Sequence, residues 1–126
     1  MATENTEKRK ITKVEIITRA SKLEELKQAL NDIGVLGMTV SQVFGCGPSK
    51  GHTEVYRGKE YDINLVPKIK LETVICEIPV ERVLEVAQKA VRTGNIGDGK
   101  IFVYELTDAV RIRTGDRGPE AIMDTK

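Results

Sequence analysis

Hydrophobic and polar positions change period several times along this chain, and the changes mark out its elements. Residues 11–19 (ITKVEIITR) are rich in β-branched side chains and predict a first strand. Ser21 then opens a helix, with Glu24 three residues on at the spacing of a capping box, in which each side chain bonds the other's free backbone N–H. Leu23, Leu26, Leu30 and Ile33 recur at helical spacing as one apolar face, and Gly34 suits a helix stop. Residues 35–44 predict a second strand, with Gly37 as a bulge or close approach. Residues 68–78 predict a third, where Ile69, Leu71, Thr73 and Ile75 alternate with Lys70, Glu72, Val74 and Cys76. Pro79 suits a helix start. Val80, Val83, Leu84, Ala87 and Val91 form the second helical face, which ends at Thr93-Gly94. A glycine-rich turn at 95–99 leads into strand four at 100–106, and a short strand is expected at 110–113. From Thr114 the chain is polar and carries Gly115, Gly118 and Pro119, which reads as a flexible tail.

The order is βαβ–loop–βαβ, two halves of similar length with a helix between two strands in each. It predicts an α+β, ferredoxin-like βαββαβ sandwich: four antiparallel strands with both helices on one face. The expected organisation is an N-terminal extension at 1–10, one domain at 11–115 and a flexible tail at 116–126. Strands one and three put mixed residues on the face without helices (Ile11, Lys13, Glu15, Ile17; Lys70, Glu72, Val74, Cys76), which suits half-burial in an oligomer.

A long stretch at 45–67 (GCGPSKGHTEVYRGKEYDINLVP) shows neither helical nor strand period. It holds four of the eleven glycines, two of the three tyrosines and the only histidine. A structureless stretch of this length is rare in a compact domain unless it has a task. It reads as a mobile, polar, signal-bearing loop between two neighbouring strands, the alternative being a disordered surface insertion.

Composition narrows the classes. The 126 residues allow one domain with a real core, and 40% hydrophobic with 31% charged residues suit a globular protein. A net charge of +1 argues against a nucleic-acid binder or a polybasic membrane binder. Cys46 and Cys76 make no disulfide framework, and reduced thiols in a cytoplasmic protein are the simplest reading. One His and two scattered Cys do not converge on a metal site of the chain's own. No apolar run approaches a membrane span, and the first residues have no signal core.

Three constellations carry chemistry. In 93–100 (TGNIGDGK) the glycines let backbone N–H groups approach an anion, and Lys100 adds a positive charge, so the turn can hold a phosphate chain. The spacing is neither a Walker A loop nor a dinucleotide fingerprint, and an ordinary helix-to-strand connection stays open. Arg111 and Arg113 fall on one face if 110–113 is a strand, and two such guanidiniums grip phosphate oxygens; a solvated edge pair is the alternative. In the loop, Tyr56 and Tyr61 flank Arg57, Gly58, Lys59 and Glu60, accessible for recognition or modification. His52 has no nucleophile beside it, so no catalytic residue is assigned and the chain is read as a non-enzyme. A small nucleotide hydrolase is the catalytic rival. An RNA-binding module is weaker still, with only Phe102 and Tyr104 placed for base stacking.

These residues give the chain its likeness to a known family. Residues 50–61 (KGHTEVYRGKEY), 93–103 (TGNIGDGKIFV), 33–40 (IGVLGMTV) and 111–115 (RIRTG) together resemble the PII family of nitrogen and energy signal-transduction proteins, from about residue 11 to 115. The resemblance implies a homotrimer that binds ATP or ADP in the clefts between subunits. Ile17, Gly37, Met38, Thr39, Gly45, Glu72 and Val74 would lie near the base and ribose. Gly97, Asp98, Gly99, Lys100, Arg111 and Arg113 would supply the phosphate side. It further implies 2-oxoglutarate beside a Mg-ATP complex, with Lys68 facing a carboxylate and Ser49, Lys50 and Gly51 at the loop base. Tyr61 matches a tyrosine that is nucleotidylated in some members. The long loop, the family's T-loop, would dock on a target; the family's are ammonium channels, nitrogen-assimilation enzymes and nucleotidyltransferases, to which the departures below add the ATPase subunit of a transporter.

The departures are specific. Where the family has Arg-Gln this chain has Pro48 and Ser49, and where it has Pro-Phe after strand one this chain has Ala20 and Ser21. Serine does not reach as far as the glutamine that contacts metal and 2-oxoglutarate, and proline offers neither charge nor N–H. Nucleotide binding is therefore expected to survive, and the response to 2-oxoglutarate to be weak or absent.

Overall fold

The computed structural model describes residues 10–46, 53–56, 59–62 and 65–123. A four-stranded antiparallel sheet in the order β2-β5-β1-β6 forms the body of the chain. Its strands are β1 (Ile11–Arg19), β2 (Thr39–Cys46), β5 (Leu65–Ile75) and β6 (Lys100–Leu106), and β3 (Thr53–Tyr56) pairs with β4 (Lys59–Asp62) in a separate hairpin. Helices α1 (Leu23–Asp32) and α2 (Val80–Val91) follow β1 and β5, and a short α3 (Pro119–Ile122) closes the described chain. The four-stranded sheet and its connections are those of a ferredoxin-like fold.

Alternation explains the layering. On β1, Thr12, Val14, Ile16 and Thr18 turn inward, and on β5 so do Ile69, Leu71, Thr73 and Ile75. Leu26 and Leu30 from α1 and Val83, Ala87 and Val91 from α2 close over them. Leu71 is fully buried among them, so truncation to Ala is expected to cost about 2–5 kcal/mol. The opposite sheet face carries Lys13, Glu15, Glu72, Phe102 and Tyr104. Lys13 Nζ lies 3.4 Å from Glu72 Oε2 and 4.5 Å above the Tyr104 ring. A hydrogen bond to Glu15 raises the Tyr104 pKa, with burial and the Glu15 charge adding to the rise.

Several boundaries differ from the expected ones. There is no capping box: Ser21 lies inside a 3-10 turn, Ala20–Lys22, and α1 has no side-chain cap. Strand two begins at Thr39, not Val35. Val35 N–H closes the helix end on Leu30 O (2.9 Å), and Thr73 Oγ1 donates to Gly37 O (2.6 Å), so these groups leave the ladder. The expected loop is shorter than 45–67. Gly45 pairs with Val66 and Phe44 with Pro67, and β5 has its β1 neighbour only from Lys68 onward, so Pro67 costs no second ladder bond. The β3–β4 hairpin forms where no strand period was legible. Strand three stops at Ile75.

The C-terminal expectations are corrected too. No strand runs through 110–113; Val110 makes an isolated bridge to Arg117, and 112–114 form a turn. Arg111 and Arg113 therefore do not share a strand face. Beyond Thr114 the described residues carry that bridge and α3, where Gly115 N–H returns to Arg111 O (2.7 Å) and Gly118 N–H to Ala109 O (2.9 Å).

Candidate functional site

Two groups of candidate residues stand at opposite ends of the sheet. The first surrounds the turn between α2 and β6. A Cβ on Gly99 would stand 1.8 Å from Ile17 O, so at φ +105° only glycine fits this approach to β1. Thr18 Oγ1 donates to Asp98 O (2.7 Å), Arg19 to Ile96 O (2.9 Å) and Lys68 Nζ to Gly97 O (2.6 Å). Three consecutive carbonyls of the turn are thus held by donors from β1 and β5.

Asp98 is the turn's inner latch. Its carboxylate accepts from the Thr93 hydroxyl, from Thr93 N–H and Gly94 N–H (2.8 Å each) and from Arg19 (2.7 Å). These bonds, the Thr93 hydroxyl foremost and then its amide, hold the Asp98 carboxyl well below the usual carboxylate range, against a smaller opposing effect of burial. Its charge is thereby spent inside the turn. The adjoining groove, about 690 Å³, is lined by Ile17, Arg19, Gly45, Lys68, Gly97, Asp98, Gly99, Lys100 and Phe102 among others. Three cations there face one carboxylate already bonded, a composition that attracts a phosphate chain or another polyanion.

The second group lies where β2 begins and β5 ends. Thr39 is paired with Glu72, and Gly37, Thr73, Val74 and Arg111 line a groove of about 570 Å³ together with Ala121, Ile122 and Met123. Met38 packs against the edge of the core. Arg111 donates to Asp116 Oδ2 (3.2 Å), Glu120 O (3.2 Å) and Met123 O. Arg113 is exposed in the turn beyond it.

One chain distributes the expected residues between these two ends. Ile17 and Gly45 go with the glycine turn, and Arg111 goes with Gly37 and Val74. Thr39 and Gly45 are about 20 Å apart along β2, so one chain does not gather both groups around one ligand. Ser49, Lys50, Gly51, Arg57 and Gly58 lie outside the described residues. Tyr56 pairs with Lys59 where β3 ends and β4 begins, and Glu60 and Tyr61 follow on β4. Arg19 was not among the expected site residues, since in the sequence it only ends a strand. Its pairing opposite Lys68 on β5, which brings it to the turn, is a matter of register that the sequence does not show. Among the described residues no three His, Cys, Asp or Glu side chains gather as metal ligands, and no helix among them is long and apolar enough to cross a membrane.

Comparison with known proteins agrees with this architecture. The family model described as nitrogen regulatory protein P-II matches residues 11–116. The nitrogen regulatory protein P-II of Rhodospirillum rubrum is 54% identical over 110 residues, covering 87% of this chain and 98% of that protein. The nitrogen regulatory PII-like protein of Bacillus subtilis is 50% identical over 110 residues, covering 87% and 95%. Among solved structures, B. subtilis GlnK superposes with a TM-score of 0.76 at 50% identity, covering 89% of this chain and 98% of that one. A GlnK–ATP complex from the same organism gives 0.75 at 42% identity (91% and 98%), and Arabidopsis thaliana PII bound to citrate gives 0.73 at 39% (89% and 92%). With its sheet order, its glycine turn and these matches, the chain belongs to the nitrogen regulatory protein P-II family.

Proposed function

We propose that this protein is a homotrimeric, non-enzymatic sensor of ATP and ADP that controls a target protein through its long loop. The observation that carries this reading is the separation of the two residue groups. A cationic turn at one end of the sheet and Gly37, Val74 and Arg111 at the other complete one site only when two chains meet. The similar GlnK structure with ATP supports the ligand class.

In this reading Gly97, Gly99 and Lys100, with Arg111 and Arg113 of a neighbouring chain, take the phosphates. Ile17, Gly45, Gly37, Met38, Thr39, Glu72 and Val74 frame the base and ribose. Mg²⁺ bound with ATP would neutralise phosphate charge. Arg19 and Lys68 fix the turn by its carbonyls. ATP and ADP differ by a γ-phosphate, and a differential contact there is what biases one loop state over another. The long loop, with Tyr56, Arg57, Gly58, Lys59, Glu60 and Tyr61, is the docking element and Tyr61 the candidate for modification. The target is an ammonium channel, a transporter ATPase subunit or a nitrogen-metabolism enzyme, met in the cytoplasm or at the membrane it occupies.

Two features support a weak 2-oxoglutarate response. Ser49 and Pro48 replace a longer pair of side chains, and Lys68 Nζ is already bonded to Gly97 O. Citrate on the related Arabidopsis protein favours the second reading, in which an organic acid does bind. Calorimetric titration with ATP and with ADP, each with and without Mg²⁺, followed by 2-oxoglutarate, separates the two. Nucleotide heat without a 2-oxoglutarate heat is expected. A clear 2-oxoglutarate heat would make this an ordinary nitrogen sensor, and no nucleotide heat would remove the mechanism.

A further inference from the structure

We propose that residues 118–123 form an autoinhibitory strap that withholds Arg111 from the nucleotide; the inference rests on the nucleotide reading above. The strap's carbonyls stand in for phosphate oxygens. Arg111 sends one arm to the Asp116 carboxylate and the other to the carbonyls of Glu120 and Met123. Carbonyls at the end of a helix lack partners within it and are ready acceptors for a cation. A nucleotide phosphate needs the same guanidinium N–H groups, so docked strap and bound phosphate compete for one side chain.

The strap also occupies the place as well as the charge. Ala121, Ile122 and Met123 line the same groove as Gly37 and Val74, the residues read as framing base and ribose. It enters there because Gly118 takes φ +67° and ψ −144°, a conformation open to glycine, while its N–H bonds Ala109 O (2.9 Å) and Asp108 Oδ1 (3.2 Å). The four-residue α3 buries no residue fully. Residues 118–123 are half-buried or exposed, and a segment with no fully buried side chain belongs to the low-stability end of the molecule and can exchange between docked and released states. The apparent affinity for nucleotide is then reduced by the fraction of chains whose strap is released. By reciprocity, nucleotide releases the strap.

The test uses the full chain with Gly118→Ala, which strains the docked backbone away from any proposed ligand contact, and Asp116→Asn, which removes the ion pair to Arg111. Calorimetry with ATP is expected to show roughly five- to tenfold tighter binding for Gly118→Ala and a smaller gain for Asp116→Asn. Hydrogen exchange on the unaltered chain gives a second readout. The amides of Ala121 and Met123, bonded to Gly118 O (2.9 Å) and Pro119 O (3.0 Å), are expected to exchange faster at saturating ATP. If the unaltered chain binds ATP while Gly118→Ala binds no more tightly, or if those amides exchange no faster at saturating ATP, the strap is refuted and the nucleotide site stands. If none of the three proteins binds ATP, the nucleotide reading falls and the strap with it.

Discussion

Gly99→Ala is the sharpest perturbation the structure offers. The added Cβ would stand 1.8 Å from Ile17 O and 2.9 Å from Thr18 Cα, both backbone, where real Cβ contacts do not fall under 3.0 Å. The turn must therefore retreat by at least 3.0 − 1.8 = 1.2 Å. No side-chain rotation relieves this, because both obstacles belong to the central strand. The left-handed φ of +105° adds about 1–2 kcal/mol for a non-glycine residue, and forced overlap in a packed site adds roughly 1–3 kcal/mol. A total near 3 kcal/mol lowers Tm by about 10–15 °C in a domain of this size. The next residue, Lys100, begins β6 and pairs with Ile17, so the displacement also opens the first rung of that ladder and moves the cationic groove. Gly94→Ala is the control: its φ is +91°, but nothing lies within 4 Å of the added atom. It carries the backbone term alone, about 1–2 kcal/mol. Thermal unfolding by circular dichroism and ATP titration on both variants decide the matter. Gly99→Ala behaving like Gly94→Ala in both assays would refute the reasoning.

Other expectations follow from the same geometry. Asp98 is ionised more readily in the folded than in the unfolded state, so its stabilisation is complete above the ordinary carboxylate pKa of about 4 and is lost as pH falls below that toward its depressed folded value. Urea unfolding of the parent and of Asp98→Asn should therefore show a stability gap that is constant from pH 7 to 5 and narrows in more acid solution; a gap unchanged down to pH 3 would contradict this. Arg19→Ala should weaken ATP binding by loosening Ile96 and Asp98, and Arg19→Lys should recover part of the loss, because a single ammonium replaces one of the two contacts; equal defects in both would deny Arg19 a positioning role. Gly37 has open space around its missing Cβ and no left-handed φ, so Gly37→Ala should leave Tm nearly unchanged while lowering ATP affinity; a large fall in Tm would show that the site, rather than the ligand, needs this glycine.

Much of the fold was legible because its signals are periodic. The alternation in β5 and the apolar faces of both helices each predicted which residues are buried, and strand four was bounded at 100–106 as found. The misses have a different cause: specific hydrogen bonds that no periodic pattern signals, several of them to residues distant in sequence. Strand two starts late because Thr73 takes the Gly37 carbonyl. Residues 110–113 do not form a strand because Arg111 is drawn to Asp116 and to α3. The glycine turn was recognised by composition, but its latch was not. Thr18, Arg19 and Lys68 reach it across the sheet from chain positions 29 to 80 residues away. The division of the candidate site into two ends was hidden for the same reason, since register and not spacing decides which end of a strand a residue serves.

Mixed trimers test the two-chain site most directly. Lys100→Ala disables the cationic end and Arg111→Ala the opposite end, so each homotrimer is expected to bind ATP poorly. Denatured together and refolded, the two chains form trimers in which some clefts join an intact Lys100 end to an intact Arg111 end. The account predicts that ATP binding returns in the mixture at a fraction of the parental site number and with near-parental affinity. Binding in the mixture no greater than the average of the two variants would contradict it, and would place the whole nucleotide site within one chain or nowhere.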